Sequence, residues 1–198
     1  MRITGGQWRG RLLKVPRGKV RPAQDRVRQA VFSALAERVA GARVLDLFAG
    51  TGVYGLEALS RGAASATWVE NDRRVLTVLR ENVAALCGPD FSDSPRAAVV
   101  AANVLRFLAQ GQAPPERYAQ ASGGGAPYDL IIADPPYDRN GQWLKKILSV
   151  LAGHSILQSD GLLIIELAAQ APVLIQAPWQ LVKRRVYGET QIDYLAIV

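Results

Sequence analysis

Among 198 residues there is one cysteine, Cys87, and one histidine, His154. A lone cysteine can build neither a disulfide nor a thiolate metal cluster within the chain. A lone histidine leaves little room for imidazole catalysis or ligation, so no metal is expected. Charge-free apolar runs of roughly 18 residues, the length that spans a bilayer, are missing. The opening Met1-Arg2-Ile3-Thr4-Gly5-Gly6 carries no hydrophobic signal core. These absences exclude a disulfide scaffold and a helical membrane protein, and they predict a cytoplasmic chain. No G-x-x-x-x-G-K-[ST] run occurs, which excludes a P-loop.

Negative charge is almost absent from the first 28 residues. They hold nine Lys and Arg against Asp25 alone, a balance of +8, while the other 170 residues balance to −1. The whole excess of the net charge of +7 thus sits in one N-terminal arm. A basic segment on a near-neutral body fits an anionic polymer better than mere solubility. Arginine dominates it, and the guanidinium fork suits phosphates and stacks on bases. Arg2, Arg9, Arg11, Lys14, Arg21 and Arg26 are the candidate contacts to such a polymer, a nucleic acid above all.

What remains has an ordinary globular composition, 49% hydrophobic and 21% charged. At this length one domain covering 1–198 is expected, with residues 1–22 as a basic hairpin extension. Gly5-Gly6, Gly10 and Pro16-Arg17-Gly18 punctuate that arm. From Asp25, a plausible N-cap, to about Val39, apolar residues recur at helical spacing. Strands are predicted at 44–48, 66–70, 97–101, 128–133 and 162–167, with helices near 54–61 and 72–86. A terminal hairpin is predicted from 181–186 and 191–197, turning at Gly188. The stretches 88–96 and 111–127 are loops, the second containing Pro114-Pro115 and Ser122-Gly123-Gly124-Gly125. Apolar strands alternating with helices imply an α/β fold with a mostly parallel sheet covered on both faces.

Two constellations carry chemistry. Asp46-Leu47-Phe48-Ala49-Gly50-Thr51-Gly52 joins the first strand to its helix, at the carboxyl edge where open α/β sheets bind ligands. Gly50 and Gly52 let backbone approach a ligand closely. Glu70 ends the next strand, placed to take both hydroxyls of a ribose. Gly55 stands at the third glycine position of a G-x-G-x-x-G but falls where the helix has begun, and Asp46 before the glycines suits a cationic ligand better than a pyrophosphate. S-adenosylmethionine (SAM), a sulfonium nucleoside, meets those demands.

The other constellation is sharper. An apolar strand delivers Asp134-Pro135-Pro136-Tyr137 to the same edge. Prolines stiffen the loop and leave carbonyls as fixed acceptors. An amino group on an aromatic base offers two N–H donors and a lone pair delocalised into the ring. The Asp134 carboxylate and the Pro135 carbonyl can take both hydrogens, aim the nitrogen at a methyl sulfonium and favour the charge it gains. Tyr137 offers a face for an extruded base. Of the tryptophans, Trp68, Trp143 and Trp179 are expected to pack, while Trp8 in the arm could stack on RNA. Asp90 and Asp93 are expected to be solvated, His154 to be structural, and Lys183-Arg184-Arg185 could extend an RNA footprint.

With these motifs the chain resembles the bacterial 16S rRNA guanine-N2-methyltransferase family (RsmD-like). The resemblance runs through Arg2 to Gly6, Arg9-Gly10-Arg11, Arg21-Pro22, Asp25 to Arg28, Asp46 to Gly52, Gly55 to Ala63 and Asp134 to Tyr137. It implies a Rossmann-like SAM-dependent methyltransferase fold, a seven-stranded sheet with an antiparallel last strand, and an acceptor guanine in small-subunit rRNA or an assembly intermediate of that subunit. A monomer is the default expectation. It also implies that Asp46, Phe48, Ala49, Gly50, Thr51 and Gly52 wrap the methionine part of SAM and Glu70 holds the ribose. Asn71 or Asp72 would lie near the adenosine, and Asn103 with Val104 would meet the adenine. Asn103 stands where such enzymes usually carry Asp, so weaker adenine binding is expected, and Ala23-Gln24 replaces a usual Thr start. Alternatives are an N6-adenine or N4-cytosine DNA methyltransferase, which normally needs a further recognition domain, and a non-catalytic RNA-binding assembly factor, which would not need an intact Asp-Pro-Pro-Tyr. A small-molecule methyltransferase conflicts with the basic arm.

Overall fold

The computed structural model describes residues 1–16, 24–94, 96–111, 127–136, 138, 140–172 and 174–198. The expectations for Arg21, Tyr137, the Pro22-Ala23 segment and most of the 111–127 loop lie outside the described residues.

Strands β1 (Arg43–Leu47), β2 (Ser65–Glu70), β3 (Ala97–Ala101), β4 (Tyr128–Ala133), β5 (Leu157–Ala168), β6 (Trp179–Tyr187) and β7 (Thr190–Ile197) form one sheet. Its order is β3-β2-β1-β4-β5-β7-β6. The first five run parallel, while β7 is antiparallel to both β5 and β6. β1, β2 and β4 are buried along almost their whole length, as a parallel sheet covered on both faces requires. Helices α1 (Gln24–Leu35), α2 (Val53–Ser60) and α3 (Arg73–Cys87) cover one face. Helices α4 (Val104–Ala109) and α5 (Gln142–Ala152) cover the other. Order reverses on either side of β1 and β4, so their carboxyl ends form the crevice where such sheets take ligands.

Three sequence expectations are refined. Asp25 is the second residue of α1, where its carboxylate pairs with Arg28 and Arg2, and the helix gives way to a 3-10 turn at Ala36–Val39. The segment 88–96 contains a 3-10 turn, Phe91–Asp93, in place of a wholly irregular loop. In the arm, the described part of the expected hairpin is one antiparallel bridge, Arg2 to Leu12.

The arm is nonetheless held firmly. Glu57, fully buried on α2, accepts from the Thr4 backbone N–H and hydroxyl at 2.7 Å each. It also pairs with Arg28 at 3.3 Å and Arg61 at 2.9 Å. Arg28 itself is 1% exposed and donates to the Arg2 carbonyl and to Asp25. Gly5 and Gly6 lie against Arg61 and the Ser60 backbone, leaving no room for a Cβ. Further along, Asn82 of α3 exchanges two hydrogen bonds with the Lys14 backbone. Inner polar groups tie the arm down, and Arg2, Arg9, Arg11 and Lys14 remain exposed.

Candidate active site

A cavity of about 790 Å³ opens at the carboxyl edge between the β1, β2, β4 and β5 ends. That lies within the range of small-molecule and cofactor sites and is large enough for a nucleoside-sized donor. Phe48, Ala49, Gly50, Thr51, Glu70, Asn71, Asn103, Val104, Asp134, Pro135 and Pro136 all line it. The two sequence constellations therefore meet in one space.

Asp46 and Gly52 stand behind the wall rather than in it, which changes their expected part. The Asp46 carboxylate, 2% exposed, accepts the Gly55 N–H at 2.9 Å and so fixes the first turn of α2 to the end of β1. Burial pushes its pKa well above the usual carboxylate range, against the Gly55 hydrogen bond and with help from the charges of Asp134 and Glu70. Gly52 has φ +81°, and its carbonyl accepts the buried Trp68 indole N–H at 3.0 Å. A Cβ there would lie 2.4 Å from Leu79 and 3.3 Å from the Trp68 nitrogen. Phe48 also has positive φ, +57°, an uncommon state for a side chain of that size. Its ring meets Trp143 edge-on, with centroids 4.9 Å apart.

Glu70 joins the two cofactor-side loops. One oxygen accepts Gly50 N–H at 3.0 Å; the other accepts the N–H groups of Asn71 and Asp72 at 2.7 and 2.9 Å. A carboxylate keeps about four acceptor directions, so these bonds orient it and leave capacity for ribose hydroxyls. Asp72 caps α3 through Arg74 and Val75 N–H. Asn103 caps α4 through Arg106 N–H at 3.2 Å, which its amide oxygen does with one of two lone pairs. The donor set fits SAM: a glycine turn for the methionine part, a fixed carboxylate for the ribose and an acceptor at the adenine end.

On the opposite wall, Asp134 is half-buried and Pro135 buried, and Asp134 N–H reaches the Leu47 carbonyl at 3.4 Å. Asp138 accepts Asn140 and Trp143 N–H at 2.8 and 2.9 Å and thereby ties the loop to α5. Several lining residues escaped the sequence reading: Met1, Arg28, Tyr54, Trp143, Glu166 and Thr190. Trp143 was expected only to pack; it also forms cavity wall. Trp8, expected as a possible RNA stacker, is half-buried and packs on the core. Tyr54 donates its hydroxyl to Glu166 at 3.1 Å, and burial followed by the charges of Glu166 and Asp134 pushes its pKa well up. Glu166 interrupts the apolar run of β5 as Asp46 interrupts that of β1, a signal the sequence does carry. Of the basic run on β6, Arg184 is committed to buried Asp193 through two bonds of 2.7 and 2.8 Å.

The model of the family described as conserved hypothetical protein 95 matches residues 1–196. The chain belongs to that family. It is similar to the ribosomal RNA small subunit methyltransferase D of Escherichia coli strain K12, 37% identical over 191 residues, 96% of this chain and 86% of that protein. The solved structure of yhhF from Escherichia coli superposes with a TM-score of 0.80 at 36% identity, covering all of this chain and 97% of that one. A more distant likeness, 19% identical with a TM-score of 0.62, is to SMU.776 solved with SAH; it covers 90% of this chain and 50% of that one and speaks for the fold alone. These relatives are methyltransferases by name, and the chain has the Rossmann-like sheet expected from its sequence. Among the described residues no group of side chains could hold a metal, and no helix is long and apolar enough to cross a membrane.

Proposed function

We propose that the chain methylates the exocyclic N2 of a guanine in small-subunit ribosomal RNA, naked or in an assembling particle. The single observation that carries this reading is the meeting of the glycine turn and the Asp134-Pro135 loop on one cavity of donor size. The relative's substrate and the exposed cations of the arm favour ribosomal RNA over DNA or a metabolite.

SAM, when bound, supplies an electrophilic methyl group on sulfur. The chain's own work is positioning. Gly50, Thr51 and Glu70 would hold the donor along one wall, while Asn71, Asn103 and Val104 meet its adenosine. On the other wall the Asp134 carboxylate and Pro135 carbonyl accept the two amino hydrogens of the base. Their pull localises the N2 lone pair and points it across the cavity. As N2 gains positive charge its bond to Asp134 strengthens, so the stabilisation is greatest where charge develops. The surplus proton leaves N2 along that bond. Tyr137 would stack on the base. Arg2, Arg9, Arg11, Lys14, Arg21 and Arg26 would hold phosphates around the mouth, and a loop nucleotide costs least to extrude.

The test is methyl transfer from labelled SAM into small-subunit RNA and particles, with the product nucleoside identified by mass. N2-methylguanosine at one position is expected, and Asp134→Asn should lower the single-turnover rate by about 100-fold or more while RNA and SAM affinities stay within a few-fold. Transfer into adenine or cytosine, or an Asp134→Asn enzyme of ordinary rate, would overturn the reading.

A further inference from the structure

The three amino-bearing bases differ in the ring atom beside the amine. Guanine has N1–H there, a donor. Adenine and cytosine have a bare ring nitrogen, an acceptor. An acceptor pair such as Asp134 and Pro135 cannot by itself tell them apart, because it reads only the amine. Discrimination needs a further group placed one ring atom away.

The structure puts a second carboxylate beside Asp134 at the same edge. In the β4–β5 ladder Ala133 pairs with Ile165, so Asp134 and Glu166 are the next residues on adjacent parallel strands. Both line the main cavity, and Pro135, Pro136 and Glu166 also share the wall of a small neighbouring cavity. Adjacent parallel strands lie about 4.8 Å apart, and residues in register on them point to the same face, so the side chains of Asp134 and Glu166 can converge on one base edge. Glu166 sits in a strand that is otherwise leucine, isoleucine and alanine, from Leu162 to Ala168. Tyr54, reaching from α2 across 112 residues of sequence, donates to its Oε2 at 3.1 Å. Because Tyr54 is buried and its phenol is held protonated, that hydroxyl acts as a fixed donor rather than a titrating group. That hydroxyl orients the carboxylate, a group with about four acceptor directions.

We propose that Glu166, oriented by Tyr54, accepts the ring N1–H of the target guanine and thereby selects guanine over adenine and cytosine. Against the latter two the carboxylate would face a lone pair, a repulsion added to a lost hydrogen bond. The proposal rests on the reading of the cavity as a guanine-N2 site; it adds the residue that reads the base. Tyr54 is a positioning residue, since it acts through Glu166.

The analogue 2-aminopurine separates the two claims, having the same amine at C2 but no N1–H. Small-subunit RNA is prepared by splinted ligation with either guanosine or 2-aminopurine at the mapped nucleotide, and kcat/KM is measured for the full chain with each. For the wild type a guanosine preference of roughly 10- to 100-fold is expected, the size of one well-made base-edge contact. In Glu166→Gln, whose amide can donate to a bare ring nitrogen, the preference should fall to within about 3-fold, with SAM affinity unchanged. Tyr54→Phe should lower the same ratio partway, and it decides the matter if Glu166→Gln fails to bind SAM. A wild type indifferent to the analogue, or variants that keep the full preference, overturns the assignment of Glu166. A wild type that methylates no guanosine at all instead overturns the guanine-N2 reading beneath it.

Discussion

The two walls of the cavity carry the same residue type to different ends. On the donor side, the carboxylates of Asp46, behind the wall, and of Glu70, in it, accept backbone N–H groups of Gly55, Gly50, Asn71 and Asp72. They shape loops. On the acceptor wall, Asp134 and Glu166 reach the same edge from adjacent strands, and at Glu166 the orienting contact is a side-chain hydroxyl, that of Tyr54. A donor common to many methyl transfers needs a fixed shape, whereas a particular base needs fixed acceptors. Changes on the donor wall should therefore alter SAM affinity and stability and leave base choice alone, with the reverse on the acceptor wall.

Gly52→Ala is the harshest way to break that division. The left-handed φ of +81° costs an L-residue about 1–2 kcal/mol. The added methyl would press on Leu79 at 2.4 Å and on Trp68, an overpacking worth about 1–3 kcal/mol more. A loss of about 2–5 kcal/mol in a urea titration is expected, with SAM binding weakened at least about 10-fold by calorimetry because the turn moves. Guanosine preference in whatever activity survives should be unchanged. A variant of normal stability would show that the turn is looser than its packing implies.

The pH response of stability sharpens the picture of the buried acid behind the donor wall. Burial raises the Asp46 pKa in the fold, so the folded state keeps a proton that the unfolded chain gives up near the ordinary value of about 3.9. Between those two values the native state binds more protons, and its stability falls as pH rises. Asp46→Asn removes the titration and retains an oxygen for Gly55 N–H. Urea midpoints of the two proteins should diverge from about pH 4 upward, the variant gaining on the wild type by at most about 1.4 kcal/mol per pH unit. Midpoints that stay parallel from pH 4 to 8 would refute the raised pKa.

Much of this was legible in the chain and some was not. Val44 to Leu47, Trp68 to Glu70 and Leu130 to Ala133 read as buried strands because parallel strands are apolar on both faces. Asp-Pro-Pro-Tyr and the two glycines announced the edge. Glu57 and Arg28 gave no such signal, since helical charges at those positions look solvated until α1, α2 and the arm are packed together. Asp46 was assigned to the ligand because a strand-end acid is visible in sequence, whereas the N–H that claims it belongs to the next helix. Tyr54 and Glu166 lie 112 residues apart, and only the sheet order brings them within 3.1 Å.

The smallest expected effect probes the end of the donor wall where the adenine is proposed to lie. Asn103 already caps α4, with its oxygen on Arg106 N–H at 3.2 Å, and it lines the cavity. Asn103→Asp keeps that geometry and adds a charge at a helix N-terminus, worth about 0.3–1 kcal/mol. A charged acceptor also bonds an adenine amine more strongly than an amide does. SAM affinity should tighten about 2- to 5-fold in calorimetry, the equivalent of about 0.4–1 kcal/mol, and the preference for guanosine over 2-aminopurine should not move. Affinity that stays put would place the adenine elsewhere than beside α4. A shift in base preference would be the more telling failure, because it would mean that the two walls are coupled and that donor shape helps choose the base.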